Sequence, residues 1–203
     1  MISGFSGSGK GTVTRELISR YKDNYWLSVS ATTRQAREGE AHGVHYFFVS
    51  DERFKEMIAQ DEFLEYAEFV SHSYGTPRKS VEEHLAAGQD VILEIEQQGA
   101  FQVKKAMPEA ILIFLVPPSI EELERRLRGR GTETEAQIRA RLEQAAVESE
   151  YMELFDYLIV NDQVDHCVED IHHLIRTEGS RTYYMKEKMI DLQEGLQAYR
   201  KEA

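Results

Sequence analysis

The chain contains 203 residues, of which 41% are hydrophobic and 30% are charged. A chain of this length can bury a sizeable core without disulfides, and its composition excludes the disordered, collagen-like and low-complexity classes. Lysine and arginine number 24 against 36 aspartates and glutamates, which gives a net charge of −12 with neutral histidines. This charge argues against a nucleic-acid partner bound through basic surface, so any anion site must be locally positive.

Cysteine content and hydropathy indicate the compartment. Cys167 is the only cysteine, which excludes an intramolecular disulfide and a cysteine-rich zinc site and favours a reducing compartment. No apolar run approaches the roughly 18 residues of a membrane span, and the N-terminus lacks a secretory pattern. We therefore expect a cytoplasmic protein without a membrane partner, in which Cys167 is a small core residue.

Apolar runs of strand length alternate with segments of helical periodicity along the chain. The runs that predict buried parallel strands are 26–30, 91–96, 111–116 and 158–160. The segments with helical spacing of apolar residues are 16–21, 81–87, 98–107, 120–127 and 168–175. This alternation predicts an α/β fold, with a parallel sheet flanked by helices.

Three predicted helix starts carry the spacing of a capping box, in which a Ser or Thr side chain and a Glu side chain three residues later bind free backbone amides. The pairs are Ser80 with Glu83, Ser119 with Glu122 and Thr132 with Glu135. We expect a helix to begin at each pair.

Two segments interrupt the alternation and predict insertions. Residues 34–78 contain strand-like runs at 44–49 and 65–71 around an amphipathic helix at 51–60, which is typical of an inserted lobe. Residues 129–146 are rich in arginine and begin with a Gly-Arg-Gly hinge, which favours a second, smaller insertion. The core domain would then comprise 1–33, 79–128 and 147–203.

The C-terminal segment predicts a helix with one apolar stripe. The residues of the stripe are Met185, Met189, Leu192, Leu196 and Tyr199. Two heptads fall short of a coiled coil, so we expect the stripe to dock on the protein's own body, with pairing to a second copy as the alternative. The oligomeric state, monomer or homodimer, stays open.

Residues 4–12, with the sequence GFSGSGKGT, supply the G-x-x-x-x-G-K core of a phosphate-binding P-loop. The glycines let successive amides point at one phosphate, and the following helix adds its positive N-terminus. A hydroxyl follows only at Thr12, because Gly11 stands where the pattern has Ser or Thr, so Thr12 is a weak candidate for contact with Mg²⁺ through water. The predicted nucleotide-binding residues of the loop are Ser6, Gly7, Ser8, Gly9, Lys10, Gly11 and Thr12. A dinucleotide-binding fingerprint would need a third glycine at position 12 and is excluded.

Arginines concentrate beyond the loop. Six arginines against two glutamates between positions 125 and 141 give a local charge of +4, which predicts a clamp on transferring phosphates. We assign this role to Arg130, Arg139 and Arg141. Arg125, Arg126 and Arg128 are expected on a solvated helix face.

Polar residues of the first insertion suit a phosphorylated acceptor. Arg34 and Arg37 are close enough to bind one phosphate together, and Tyr46 and Tyr74 could donate to the same group. Glu65 lies among apolar residues, where a carboxylate could accept both the ring N–H and the exocyclic amine of guanine.

Two further polar positions could complete the guanine contacts, and one could serve Mg²⁺. Thr76 and Glu96 are the positions expected to join Glu65. Glu94 lies on the same face of the predicted strand as Glu96, at a strand end where P-loop proteins place a carboxylate near Mg²⁺. The seven histidines show no metal-ligand spacing.

Taken in order, these motifs closely resemble the guanylate kinase family over roughly residues 1–178. The resemblance rests on the GSGKGT loop, SVSATTR at 28–34, residues 43–47, FLE at 63–65, YGT at 74–76, LEIE at 93–96 with Gln98-Gly99, residues 127–132 and IVND at 159–162. Phe5 and Ala36 replace prolines common in the family, so the loop and the arginine pair would be less preorganised. Glu96 stands where some members have Asp, so the site would have to accommodate a longer side chain.

The resemblance implies a P-loop NTPase-type α/β fold with a GMP-binding lobe at 34–78 and a lid at 129–146. It implies transfer of the γ-phosphoryl group of ATP to GMP with Mg²⁺. It also implies roles for the site residues. The residues implied to bind the GMP phosphate are Ser30, Arg34, Arg37, Tyr46 and Tyr74, those implied to bind guanine are Glu65, Thr76 and Glu96, and Arg139 is assigned to the GMP site. The residues implied to bind ATP and the transferring phosphoryl group are Lys10, Thr12 and Arg130, with Arg141 in both sites and Asn161 near adenine.

Two alternatives remain open from the sequence. One is a related P-loop kinase with another small phosphate acceptor, such as a sugar bisphosphate, although a sugar presents no guanine edge to Glu65 and Thr76. The other is a non-catalytic guanylate-kinase-like module that binds peptides, although such modules have generally lost the phosphate loop.

Overall fold

The computed structural model describes residues 1–69, 71–129, 131, 133–197 and 199–200. Its strands are β1 (Ile2–Gly4), β2 (Tyr25–Leu27), β3 (Ala31–Thr32), β4 (Phe47–Phe48), β5 (Phe63–Phe69), β6 (His72–Pro77), β7 (Asp90–Ile92), β8 (Ile113–Val116) and β9 (Tyr157–Val160). Its helices are α1 (Lys10–Arg20), α2 (Asp51–Ala59), α3 (Arg78–Ala86), α4 (Gln97–Ala106), α5 (Ile120–Gly129), α6 (Glu135–Ser149), α7 (Val164–Glu178) and α8 (Lys186–Gln197). The predicted α/β class is confirmed.

Parallel strands form the body of the protein. β1 pairs with β8, and β8 pairs with β9, all in parallel. β2 and β7 form a second parallel pair, and the Ile2 amide donates to the Leu93 carbonyl at 2.8 Å, just beyond β7. β1 therefore lies centrally, between β8 and the end of β7, which is where a strand that feeds a P-loop belongs.

A glycine ends β1 because no other residue fits there. Gly4 has φ +146°, and a Cβ on it would lie 2.2 Å from the Leu115 carbonyl oxygen of β8. Only the absence of a side chain lets the two backbones approach this closely.

The sheet has apolar side chains on both faces, so helices must cover both. Along β8, Ile113 and Leu115 belong to one core cluster, while Phe114 and Val116 belong to the other. Such a continuous apolar run is expected of a strand buried on both sides. Cys167 on α7 is fully buried in the first of these clusters, as predicted, and burial raises the pKa of its thiol to about 12.

A separate four-stranded sheet, in the order β4-β3-β6-β5, forms the first insertion together with α2. Phe54 and Met57 of α2 pack on Phe63 of β5 in a small core of their own. The strand predicted at 44–49 is confined to β4, and the sheet begins at β3, ahead of the predicted boundary at residue 34. The proposed division into domains remains a prediction.

One of the predicted capping boxes is formed in part, by its Ser side chain. The Ser119 hydroxyl accepts from the Glu122 amide at 3.2 Å at the start of α5. The Ser80 box was wrong, because α3 begins two residues earlier, after Pro77, whose ring sets the backbone for a helix start. Thr132 lies outside the described residues, and the capping box of α6 is formed by Thr134 and Gln137.

The C-terminal helix does not dock as expected. α8 has no buried residue, and the stripe side chains Met189, Leu192 and Leu196 are all exposed. The segment before α8 is fastened instead, because the Tyr184 hydroxyl donates to the Glu109 carbonyl at 2.8 Å. Among the described residues, no helix is long and apolar enough to cross a membrane.

Candidate active site

The loop between β1 and α1 forms a concave set of backbone amides. Gly7 and Gly9 both have φ +95°, a conformation that favours glycine. Helix α1 begins at Lys10, so its free N–H groups and positive dipole end lie at the loop. The Lys10 ammonium donates to the carbonyls of Gly4 and Phe5 and so lies along the same loop.

Helix α5 packs against the phosphate loop. A Cβ on Gly7 would lie 3.0 Å from the Leu127 side chain and 3.1 Å from that of Leu123. Arg126, on the same helix face, donates to the Ser8 carbonyl at 3.3 Å and to the Asn161 carbonyl at 2.8 Å. The prediction of a solvated face for Arg126 was therefore wrong, and its place between Leu123 and Leu127 in the helical period was the signal that could have found it.

Asn161 lies directly after β9 and completes this support. Its side-chain amide donates to the Ser8 carbonyl at 2.7 Å, and a Cβ on Gly9 would lie 2.4 Å from the same nitrogen. The buried Oδ1 of Asn161 has no hydrogen-bond partner among the described residues. Asn161 therefore carries an unused acceptor beside the loop.

Helix α6 places one of its two predicted arginines at the loop. Arg141 donates to the Ser6 hydroxyl at 2.5 Å and pairs with Glu133 at 2.9 Å. Arg139 is 82% exposed and pairs with Glu143 at 3.2 Å on its own helix. Residues two apart on a helix do not share a face, so the geometry does not bring Arg139 to the site. Arg130 lies outside the described residues.

The second basic group lies in the first insertion. Arg34 donates through both terminal nitrogens to the Glu40 carboxylate at 2.9 Å, and its guanidinium lies 5.3 Å from the ring centre of Tyr46. The Tyr46 and Tyr74 rings are 6.0 Å apart. The structure thus brings Arg34 and both tyrosines together, and it adds Glu40, which sequence reasoning missed.

Two other residues predicted for this group contribute less. Arg37 is exposed, and its backbone amide, not its guanidinium, donates to Glu40 at 2.8 Å. The Ser30 carbonyl accepts from the Phe47 amide at 2.9 Å, which places Ser30 directly before β3 and beside β4. The signal for Glu40 in the sequence was a single acid three residues after Arg37.

A buried carboxylate lies on β5 of the same insertion. Glu65 is 6% exposed and Thr76 is fully buried, and the Thr76 hydroxyl donates to Glu65 at 2.7 Å. Burial raises the pKa of the Glu65 carboxyl, and the Thr76 hydrogen bonds oppose that rise. A Cβ on Gly99, in the first turn of α4, would lie 2.5 Å from the Glu65 carboxylate, so glycine makes room for it.

Two more acids project from the segment after β7. Glu94 and Glu96 are both exposed and flank the buried Ile95. A Cβ on Gly11 would lie 3.4 Å from the Glu94 carboxylate, so this acid borders the phosphate loop. Partial loss of hydration raises the pKa of Glu94, while the charges of Lys10 and Arg15 lower it. Glu96 is the residue before the first turn of α4.

Metal-ligating side chains do not cluster in the described part of the chain. No group of three or more His, Cys, Asp or Glu residues there could hold a metal ion. Thr12 is exposed in the first turn of α1.

Comparison with known proteins agrees with this arrangement. A family model described as Guanylate kinase matches residues 1–178. The chain belongs to the guanylate kinase family. A protein named guanylate kinase from Clostridioides difficile (strain 630) is 48% identical to it over 94% of this chain and 93% of its own length. Another of that name from Thermus thermophilus is 49% identical over 93% of this chain and 85% of its own length.

A solved structure supports the same assignment. The crystal structure of guanylate kinase from Anaplasma phagocytophilum matches 89% of this chain and 85% of its own, with a TM-score of 0.71 and 36% sequence identity. Proteins of the guanylate kinase family are ATP:GMP phosphotransferases. The phosphate loop, the arginines and the buried acid thus occur in a chain whose family transfers phosphoryl groups between nucleotides.

The contact between Gly99 and Glu65 makes a first prediction. Gly99→Ala should displace the Glu65 carboxylate and raise the KM for GMP by about 10-fold to 100-fold, because small misplacements of binding groups carry such costs. The KM for ATP should stay within twofold, since the phosphate loop is untouched. Steady-state kinetics with each substrate varied checks this.

The matched control for Gly99→Ala is Gly195→Ala. Gly195 lies on α8, and a Cβ there meets no heavy atom within 4 Å. It should leave both KM values unchanged. An unchanged KM for GMP in Gly99→Ala would show that the close approach to Glu65 does not matter.

The raised pKa of Glu65 makes a second prediction, about stability. A folded-state pKa above the unfolded value means that the folded protein binds the proton more tightly, so stability falls as pH rises from about 4.5 through the folded pKa. Glu65→Gln removes this loss and keeps an acceptor for Thr76. Its melting temperature relative to the wild type should therefore be higher at pH 7 than at pH 4.

Thermal unfolding of both proteins at the two pH values measures this difference. Exposed Glu68→Gln on the same strand is the control and should show no such pH dependence. A Glu65→Gln protein that is less stable than the wild type at pH 7 would mean that the ionised carboxylate is stabilised where it lies.

Proposed function

We propose that this chain transfers the γ-phosphoryl group of ATP to GMP, with the loop 4–12 and Arg141 serving ATP and the residues around Arg34 and Glu65 serving GMP. The observation that carries this proposal is the buried Glu65 carboxylate, which accepts a hydrogen bond from the Thr76 hydroxyl. A buried acid is costly unless a ligand uses it. Guanine presents two N–H donors on one edge, which suit a carboxylate.

Specificity follows from the same pair. Adenine presents an acceptor at N1, where guanine presents a donor, so it would leave Glu65 unsatisfied. Sites built to bind a donor discriminate against ligands that lack it by about 10⁴-fold. Glu96, exposed at the start of α4 near Gly99, is proposed to complete the guanine contacts.

This phosphoryl transfer requires positive charge and alignment of the reacting groups more than it requires a general base. An oxygen of the GMP phosphate is already anionic and attacks the γ-phosphorus in line, so no group must remove a proton. Charge spreads over the equatorial oxygens in the transition state. Lys10, Arg34 and Arg141 are proposed to stabilise it, together with Arg130 by resemblance to the family, while Ser30, Arg37, Tyr46 and Tyr74 hold the acceptor phosphate.

ATP and Mg²⁺ are proposed to bind together at the loop. The amides of 6–12 would hold the ATP phosphates, and the unused Oδ1 of Asn161 could accept from an adenine amine. When bound, Mg²⁺ would supply positive charge to the ATP phosphates. Thr12 and Glu94, both exposed beside the loop, are the residues that would hold it, through water.

Closure of the two insertions is proposed to exclude water, which otherwise competes as an acceptor. The Arg141–Ser6 hydrogen bond supports this, because it joins α6 of the proposed lid 129–146 to the loop. The division into a lobe 34–78, a lid and a core remains part of the proposal. We expect the reaction to take place in the cytoplasm, where its nucleotide substrates occur, and a monomer or a homodimer would both allow it.

A nucleotide panel tests the proposal directly. ADP release from ATP and Mg²⁺ is measured with GMP, AMP, CMP and UMP offered separately. We expect turnover with GMP and at least a thousandfold lower kcat/KM with AMP. A kcat/KM for AMP within tenfold of that for GMP would contradict the role of Glu65. No turnover with any of the four nucleotides, in a folded protein, would contradict the whole assignment.

The two arginines of α6 provide an internal comparison. Arg141→Ala should lower kcat by about 10²-fold or more, because it removes a charge aimed at the loop, whereas exposed Arg139→Ala should change kcat by less than twofold. Steady-state kinetics at saturating ATP and GMP distinguishes them. Equal losses would restore the sequence-based assignment of Arg139 and reject the one drawn from helix geometry.

A further inference from the structure

Glu40 holds the guanidinium of Arg34 from one side. Its two carboxylate oxygens accept from the two terminal nitrogens of Arg34 at 2.9 Å each. The pair is well shielded, with 12% of the Arg34 side chain and 18% of the Glu40 side chain exposed. A bidentate pair of this kind fixes the plane of the guanidinium as well as its position.

The same carboxylate is tied to its own loop. The Arg37 amide donates to Glu40 at 2.8 Å, and the Glu40 amide donates back to the Arg37 carbonyl at 3.0 Å. The Glu40 carboxyl remains ionised at neutral pH, because the hydrogen bonds from Arg34 and the Arg37 amide lower its pKa to about 2. Releasing Arg34 would therefore leave a shielded charge without its partner.

The remaining donors of Arg34 share one edge. A guanidinium has five N–H donors in a fixed fork. Two of them go to Glu40, and a third goes from Nη1 to the Gln35 carbonyl at 2.8 Å. The two that remain, on Nε and Nη2, point the same way and match two oxygens of a phosphate. The Arg34 side chain is also hydrogen-bonded to Tyr74, a residue proposed to hold the same phosphate.

The aromatic rings on Arg34 restrict it further. The guanidinium lies 5.3 Å from the ring centre of Tyr46 and 5.8 Å from that of Phe48. Cations lie favourably over such rings. Glu40 thus takes one edge of the guanidinium and the rings lie beside its plane, so an anion would have to meet the second edge, together with Tyr74.

We propose that Glu40 is a positioning residue for the acceptor, which holds Arg34 so that its Nε–Nη2 edge receives the GMP phosphate. This inference rests on the proposed function. The alternative is that Glu40 competes with the GMP phosphate for Arg34, so that Glu40 would occupy the phosphate site and leave it when GMP binds. The three hydrogen bonds that anchor the carboxylate favour the positioning role.

Glu40→Gln tests the proposal, because it keeps the shape and replaces one acceptor oxygen by an NH₂ group that opposes an Arg34 donor. Binding of GMP and of guanosine is measured by calorimetry, together with the KM for GMP and for ATP. GMP should bind about tenfold more weakly. Guanosine, which lacks the phosphate, should bind as it does to the wild type, and the KM for ATP should not change.

The control is Glu38→Gln, two residues away and exposed, which should behave as the wild type. Tighter GMP binding by Glu40→Gln would overturn the proposal in favour of competition. Equal loss of GMP and guanosine binding would overturn it in favour of a merely structural role. Wild-type protein that fails to turn over GMP would reject the proposed function itself, whereas unaltered GMP binding by the variant would reject only the role of Glu40.

Discussion

The carbonyl oxygen of Ser8 is the point on which the phosphate loop depends. It accepts hydrogen bonds from Arg126 of α5 and from the Asn161 side chain beyond β9. Both donors follow or flank strands of one parallel sheet, so the sheet fixes the loop from two directions. Within the loop, the Ser8 amide donates to the Phe5 carbonyl and the Thr12 amide donates to the Gly9 carbonyl, each at 3.0 Å. The contacts to the Ser8 carbonyl add to these hydrogen bonds and hold the loop in its shape without a ligand.

The overall charge of −12 and the local need for cations are reconciled by pairing. Each well-placed arginine is held by its own glutamate: Arg34 by Glu40, Arg126 by Glu122 and Arg141 by Glu133. A long, flexible arginine side chain loses conformational entropy when a ligand orders it. A carboxylate partner that already orders the side chain lowers this entropic cost of binding. The acids that make the chain strongly negative therefore include the groups that aim its arginines.

The sequence was sufficient where the signal is local. The β-α alternation, the phosphate loop and the Glu65–Thr76 pair were predicted, because strand runs, glycine spacing and family motifs lie within a few residues of one another. Arg126 and Glu40 were missed because their importance comes from contacts with the loop and with Arg34, which no short pattern contains. Arg139 was overrated because clustering in sequence ignores the 100° rotation per helical residue. Docking of α8 failed because an amphipathic stripe predicts a buried face without specifying its partner.

The burial of Glu65 beside Gly99 lowers the stability of the fold. Glu65 is buried in a strand whose neighbours are apolar, its pKa is raised by that burial, and Gly99 gives up a side chain in α4 to admit it. Glycine inside a helix costs about 1 kcal/mol relative to alanine. The buried carboxylate also loses its hydrogen bonds to water, and the hydrogen bond from the Thr76 hydroxyl replaces them only in part. Such losses persist where a ligand recovers them, because the donors of a bound base supply the hydrogen bonds that the empty pocket lacks. The residues whose burial costs the most stability are therefore also the ones proposed to recognise the acceptor.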